Sequence, residues 1–435
     1  MRRSLPTLVA AAAVGVTLTL TVAPTARARS LDRPAAPAPA NAAAPATASP
    51  IDFHRWRSFA RGLDEGTKGA ATLRFGHAAG TLDYTDPFGG GTKTWEYARW
   101  TSPVHTLGFG ATELVASWTA AAPEGTWLQV EMRAHTSTGH DTKWYVMGRW
   151  AEGDGDIHRT SVDGQRDADG TVFTDTFVPT SGTSIGSYQL RVTLYRLPGT
   201  SAAPVVRTLG AFASAIPDRD EFPVSPPGGA WGIELNVPRY SQDIHKGQYP
   251  QWDGGGEAWC SPTSTSMVVA SYGRGPSPAD YAWVDPSYAD PWVDYAARGT
   301  YDYTYEGAGN WPFNTAYAGR FGLDGFVTQL RSLTELERFV RAGIPVVTSQ
   351  SFQADELPGA GYSTNGHLMV IIGFTKTGDV IANDPASANN DAVRRVYPRA
   401  AFEKVWQRST GGVVYIIHPK TRPLPPHVPG TTPNW

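Results

Sequence analysis

Cys260 is the only cysteine among 435 residues, which removes any intramolecular disulfide and any cysteine-based zinc or iron–sulfur site from consideration. It opens the run Cys260-Ser-Pro-Thr-Ser-Thr-Ser-Met-Val-Val-Ala-Ser-Tyr-Gly273. Pro262 suits a first helical turn, Met267, Val268 and Ala270 supply apolar surface, and Gly273 ends the pattern, so the spacing predicts a helix with the thiol at its N-terminus. Unpaired N–H groups and the positive dipole end favour the thiolate there. A buried structural cysteine is the competing reading. Against it, the approach Gly254-Gly255-Gly256-Glu257-Ala258-Trp259 reads as a loop, and an exported free thiol is prone to oxidation unless it serves a purpose.

A thiolate nucleophile needs a base, and histidine is the usual one near neutral pH. The chain has ten histidines and no H-E-x-x-H, so a zincin is excluded. His367 stands at the mouth of the apolar strand pattern Gly366–Phe374; a strand-end histidine bonded to a carbonyl is the plainer alternative. After Thr375-Lys376-Thr377-Gly378 comes a second strand pattern, Asp379–Asn383, then Asp384-Pro385. If that four-residue loop closes a hairpin, Phe374 faces Asp379, and Asp384 becomes the same-face diagonal neighbour of His367, at about 7–8 Å. A slip of one residue would put the two on opposite faces. Asp384 before proline could equally form a turn, and Asn383 is a weaker candidate for the same role. An acyl-transfer site also needs oxyanion donors; the Cys260 N–H and the Gln242 amide, in Val237–Gln242, are the candidates. No cofactor is required.

The elements that must hold these groups fall into two blocks. From Ile51 to Asp218 the pattern is period-two alternation: Leu128, Val130, Met132 and Ala134 against Gln129, Glu131 and Arg133; Leu190, Val192 and Leu194 against Gln189, Arg191 and Thr193; and Leu114, Ala116 and Trp118. Strands with one wet face and Gly/Asp/Ser turns predict antiparallel sheets packed as a β-sandwich over residues 51–218. Gly153–Asp156 and Asp167–Gly170 lack the spacing of a calcium loop and read as solvated turns. Pro- and Gly-rich residues in 219–232 mark a linker. Residues 233–419 mix periods: Ser332-Leu333-Thr334-Glu335 is a capping box before Leu336, Phe339 and Val340, Pro345–Thr348 and Val413–Ile417 are strand-like, and Phe402–Gln407 is helical, which predicts an α+β domain.

Arg2 and Arg3, an apolar run from Leu8 to Val22 and Ala26-Arg27-Ala28 form a signal-peptide pattern over residues 1–28, too short for a membrane span. An Ala/Pro-rich linker (29–50) follows, and the Pro-rich tail 420–435 looks similar. The formal charge of −3 argues against a nucleic-acid or anionic-membrane partner held by bulk electrostatics. The expectation is a secreted, extracellular protein, with cell-wall association as a variant, and no membrane contact after signal cleavage; oligomeric state is not legible.

Val237–Gln242, Cys260–Thr263, Gly366–Gly373 and Asn383–Pro385 together resemble the double-glycine (bacteriocin-processing) peptidase-like family of papain-like cysteine peptidases, over about 233–419 only. The family pattern is V-P-x-x-S-Q, Cys-Gly-Pro-Thr/Ala, G-H-x-x-V-V-x-G and N-D-P, in this order. The resemblance implies oxyanion Gln242, nucleophile Cys260, base His367 and orienting Asp384. The expected molecule is thus multidomain, an N-terminal antiparallel β-sandwich followed by an α+β papain-like cysteine peptidase domain that cleaves peptide bonds through an acyl-thioester. Ser261 replaces the family's glycine, which would narrow the substrate approach, and the long Gln242–Cys260 interval obliges the loop bearing Trp252 and Trp259 to fold back. Without membrane spans or a phosphate loop, leader processing is not expected. One rival is a peptidoglycan cross-peptide amidase with the same triad. Another is a non-catalytic binder of carbohydrate or cell wall, using Trp95, Trp100, Trp118, Trp127, Trp144 and Trp150.

Overall fold

The computed structural model describes residues 49–219 and 221–435. The expected signal peptide and the expected linker up to residue 48 lie outside the described residues.

Residues 51–214 carry strands in two seven-stranded antiparallel sheets. In one, Val205–Ser214 lies between Glu113–Ala121 and Leu73–Phe75, and Ile51–Trp56 also pairs with it. In the other, Ile185–Arg196 lies between Thr126–Thr136 and Thr92–Thr101. Because alternate side chains leave opposite faces of a strand, Leu128, Val130 and Met132, Leu190, Val192 and Leu194, and Leu114, Ala116 and Trp118 converge in one buried cluster.

The strand Glu113–Ala121 departs from the expectation of one wet face, since Leu114 to Ala120 are all buried. Val115 joins the core of the C-terminal block, and Ser117 Oγ accepts from the Val327 N–H at 3.2 Å. The second face is dry because the C-terminal block is docked on it. Phe313 packs edge-on to Trp118 with ring centroids 6.2 Å apart. Gly148 permits this approach, for a Cβ there would lie 2.8 Å from the Trp118 ring and 3.0 Å from Phe313.

The C-terminal block is built on a six-stranded antiparallel sheet in the order Asp324–Gln329, Val413–His418, Val346–Phe352, Thr364–Phe374, Val380–Asn383, Arg394–Tyr397. Helices α1 (Cys260–Ser271), α2 (Pro291–Thr300), α3 (Trp311–Gly319), α4 (Leu333–Arg341) and α5 (Arg399–Thr410) complete it. Leu336, Phe339 and Val340 of α4 are fully buried. Ser332 caps α4 by accepting from the Glu335 N–H at 3.4 Å. The reciprocal half of the expected box is displaced by one residue: the Glu335 carboxylate takes the Arg331 N–H at 2.8 Å.

The Pro-rich segments are not free. Ser225, Gly228 and Ala230 donate backbone N–H groups to buried Glu403 and Glu337 on α5 and α4. In the tail 420–435, Asn434 Nδ2 donates to the Gln329 carbonyl and the Glu335 carboxylate, Trp435 packs on Phe339, and the Pro433 carbonyl accepts from Phe53 N–H. Likening this tail to a flexible linker is therefore corrected: proline content predicts extended backbone, while Asn434 and Trp435 supply the buried anchors that dock it.

Candidate active site

Cys260 is the first residue of α1 and is half-buried. Trp259 provides no side-chain cap, so the first-turn N–H groups are not consumed by one. The helix has nine buried residues, Ser261 to Val269, and is seated by its hydroxyls. Ser264 Oγ, one turn beyond the thiol, donates to the Leu368 carbonyl at 3.1 Å. Thr265 Oγ1 donates to Asn314 Oδ1 of α3 at 3.2 Å. The first contact registers Cys260 beside His367, the residue preceding Leu368. Ser261 Oγ and the Tyr415 hydroxyl lie 2.9 Å apart, and Ser261 is fully buried. Its hydroxyl thus faces the sheet, which corrects the expectation that it narrows the substrate approach.

The hairpin joining His367 to Asp384 differs from the expected one near its loop and agrees at its mouth. Thr375 N–H donates to the Asp379 carbonyl, leaving a three-residue loop, Lys376–Gly378, with Gly378 at φ 91°. Phe374 consequently faces Val380, not Asp379. A bulge between Ile371 and Gly373 then shifts the register, so that Val370 faces Asn383. That restores the pairing sum expected for the His367 end. Without the bulge Asp384 would lie on the wrong face.

His367 Nε2 lies 2.8 Å from Asp384 Oδ1, with the ring 3% exposed and the carboxylate fully buried. Asp384 is saturated: Oδ1 also accepts from the Ala386 N–H at 3.0 Å, and Oδ2 accepts from the Tyr362 and Tyr397 hydroxyls at 2.8 and 2.6 Å. Burial opposes ionisation of Asp384, but the His367 charge and the hydrogen bonds from His367, Tyr397 and Tyr362 outweigh it and hold the carboxyl below its ordinary range. Burial likewise disfavours the charged imidazole of His367. The Asp384 charge and hydrogen bond, then the hydrogen bond and charge of Cys260, overcome this and hold it well above its ordinary range. With Nε2 engaged by Asp384, Nδ1 is the ring nitrogen left to exchange a proton with the Cys260 sulfur. Asn383 points elsewhere, donating through Nδ2 to the Val237 and Pro238 carbonyls.

Those bonds tie the Val237–Gln242 segment to the strand that ends at Asp384. Gln242 N–H donates to the Pro385 carbonyl at 2.9 Å, and Gln242 Nε2 donates to the Glu257 carbonyl at 2.6 Å. The long interval does fold back, through short 3-10 turns at Asp243–His245 and Gly256–Ala258 and through Trp259 Nε1, which donates to the Trp252 carbonyl at 2.6 Å. Gln242 therefore reaches the approach to Cys260 with one amide proton occupied. Sequence reading missed Tyr362 and Tyr397, for which no spacing signal exists, and Asp243. The Asp243 carboxyl is pushed up, by burial first, and lies in electrostatic reach of His367 and Asp384.

Residues 52–214 match the family model of the Peptidase C39 N-terminal domain, and residues 234–414 match that of the Peptidase_C39 like family. The C-terminal block belongs to the C39-like cysteine peptidase family. No curated protein matches the chain. Among solved structures, a C39-like peptidase from Bacillus anthracis is 20% identical over 42% of this chain and 96% of its own, with a TM-score of 0.28. A chain described among promiscuous carbohydrate-binding modules of the beta-sandwich superfamily is 12% identical over 39% of this chain and 56% of its own, with a TM-score of 0.15.

The remaining candidates are otherwise employed. Trp95, Trp100, Trp118, Trp127 and Trp150 are at most 1% exposed and offer no face to a sugar. Trp144, half-buried, carries the Arg191 guanidinium 4.2 Å above its ring. In the acidic turns, Asp154 pairs with Arg298, Asp156 with Lys93, and Asp167 with Lys143. Among the described residues no group of His, Cys, Asp and Glu could hold a metal ion, and no helix is long and apolar enough to cross a membrane.

Proposed function

We propose that this C39-like protein is a secreted thiol hydrolase that cleaves peptide bonds through a Cys260–His367–Asp384 triad. Its layout would be an N-terminal β-sandwich (51–218) followed by an α+β papain-like catalytic domain (233–419). The shared core of the two N-terminal sheets and the mixed helix–sheet build of the C-terminal block support that division. Export rests on the Arg2-to-Ala28 pattern.

The observation that carries the catalytic reading is the single imidazole hydrogen-bonded to a buried carboxylate on one side and within interaction range of the lone thiol on the other. His367 takes up the thiol proton through Nδ1 as the sulfur attacks the scissile carbonyl. His367 then delivers its Nδ1 proton to the leaving amine, and the C–N bond breaks to leave an acyl-thioester. Water adds to the thioester while His367 takes its proton, and the acid product leaves with the sulfur restored. The Cys260 N–H and the second Gln242 Nε2 proton are the donors for the oxyanion. Asp384, fixed by Tyr362 and Tyr397, keeps the ring oriented and its charge favoured.

The test is a peptide-library digest read by mass spectrometry. Wild-type protein is expected to give a reproducible cleavage pattern and Cys260→Ala none, with the same circular dichroism. Cleavage that survives in Cys260→Ala would refute the mechanism. Turbidity loss on purified cell wall without peptide cleavage would move the substrate to cross-peptides.

A further inference from the structure

The loop between α2 and α3, residues 301–310, is gripped from both blocks. From the N-terminal block, the Arg159 carbonyl accepts from the Tyr303 N–H at 3.0 Å, and the Ser161 N–H donates to Asp302 Oδ1 at 2.9 Å. Where the loop enters α3, Asp175 Oδ2 accepts from the Trp311 N–H at 2.9 Å. Asp175 sits at the tip of the hairpin formed by Gly170–Phe173 and Thr176–Pro179, beside Thr174 at φ 55°, and its other oxygen accepts from Thr176 Oγ1. Arg159, 1% exposed, also donates to the Arg298 carbonyl at 2.5 Å.

Asp302 turns this grip into loop shape. Its Oδ1 accepts from the Thr304 and Tyr305 N–H groups, and Oδ2 from Asn310 Nδ2. Burial pushes the Asp175 carboxyl up to about 7 and raises that of Asp302 as well. These are carboxylates kept buried against their solvation by the backbone donors they hold.

On its other side the loop leans on the nucleophile. Tyr301 and Ala308 share an apolar cluster with Trp252 and Trp259, and Ala308 N–H donates to Asp253 Oδ2 at 3.0 Å. Trp259 immediately precedes Cys260. Tyr305 is half-buried and lies over Gly307, where a Cβ would come within 2.4 Å of its ring. Its phenol is in electrostatic reach of Cys260, and the triad makes no use of it.

We propose that the N-terminal block builds one wall of the substrate cleft: Arg159, Ser161 and Asp175 are positioning residues for the loop 301–310, and Tyr305 is a specificity-determining residue that packs on a substrate side chain beside the scissile bond. This rests on the peptide-hydrolase reading above.

The full-length protein tests it with Asp175→Ala, which removes the acceptor for Trp311 N–H, Asp175→Asn, which keeps an oxygen there, and Tyr305→Ala. The measurements are kcat and KM on a peptide the wild type cleaves, the rate of Cys260 alkylation by iodoacetamide, and the rates with dipeptidyl chloromethyl ketones varied next to the ketone. Both alanine variants are expected to raise KM about tenfold and flatten the order of the ketones, with iodoacetamide rates within about twofold of wild type; Asp175→Asn recovers most of the loss. Unchanged KM and ketone order in both alanine variants overturn the proposal. So does loss of iodoacetamide reactivity in step with melting temperature and without rescue by asparagine, which marks mere unfolding. A wild-type thiol inert to iodoacetamide would instead overturn the hydrolase reading, and this proposal with it.

Discussion

Both blocks pair histidine with aspartate at hydrogen-bond distance, and the pairs differ in what stands on the far side of the ring. In the N-terminal block, His158 Nδ1 lies 2.7 Å from Asp86 Oδ2 and His105 Nε2 lies 2.7 Å from Asp52 Oδ1. These contacts are as short as the 2.8 Å between His367 and Asp384. Yet His158 has the Tyr303 ring beside it, and His105 has the stacked His54 ring at 4.2 Å. Only His367 has a sulfur. A histidine–aspartate contact is thus a common fastening in this molecule, and the third group is what sets His367 apart. His54 sharpens the point. Burial, and then the neighbouring His105, push it down to about 4, whereas the more deeply buried His367 is pushed the opposite way by its carboxylate and its thiol.

The comparison can be broken by exchanging the carboxylates for amides. Asp384→Asn should lower kcat by roughly 10³–10⁴-fold, since the ring loses its orientation and the partner of its charge, while Asp86→Asn should leave kcat unchanged. Equal losses would show that the two pairs serve alike. In the same Asp384→Asn protein the His367 imidazole, followed by NMR, should titrate at lower pH than in wild type, because burial then acts without its counterweight. Gln242→Ala should cost a smaller factor, about 10²-fold in kcat; no change would mean that its amide serves only the Glu257 carbonyl. Trp118→Ala, at the seam between blocks, should destabilise by about 3–5 kcal/mol in denaturant titration.

The smallest effect concerns pH. The folded-state pKa of His54 lies below that of the unfolded chain, so between pH 6.5 and about 4 the unfolded state binds the proton first, and that residue's contribution to stability falls on acidification. The His367–Asp384 pair does not share this loss between pH 7 and 5: the raised imidazole gives stability that is lost only as pH rises, and the lowered carboxyl gives stability that is lost only on more acidic titration. His54→Gln should therefore melt higher relative to wild type at pH 5 than at pH 7. A gap between the two that stays constant with pH would show that His54 is not the sensor.

What could be read from the chain depended on how local the cause was. Alternation gave Thr126–Thr136 and Ile185–Arg196 because a strand needs only its own period. The helix at Cys260 was legible because proline and glycine act through their own backbone. The His367–Asp384 relation was visible because a hairpin is short-range, although the loop is one residue shorter than expected and a bulge at Ile372 compensates. That bulge belongs to a third segment: Leu235 N–H donates to the Ile372 carbonyl at 2.8 Å, a contact more than a hundred residues distant in sequence.

Residue type by itself determined which atoms could do chemistry here, because a lone thiol, an imidazole at a strand mouth and a carboxylate in a tight hairpin carry their reactivity and short-range geometry with them. Tertiary structure alone decided that Tyr362 and Tyr397 saturate Asp384, that Ser261 turns inward to Tyr415, and that the tail docks through Trp435. Each of these is a meeting of surfaces far apart along the chain, chosen by which packing buries apolar area while leaving the fewest polar groups unpaired, and no local pattern encodes that choice.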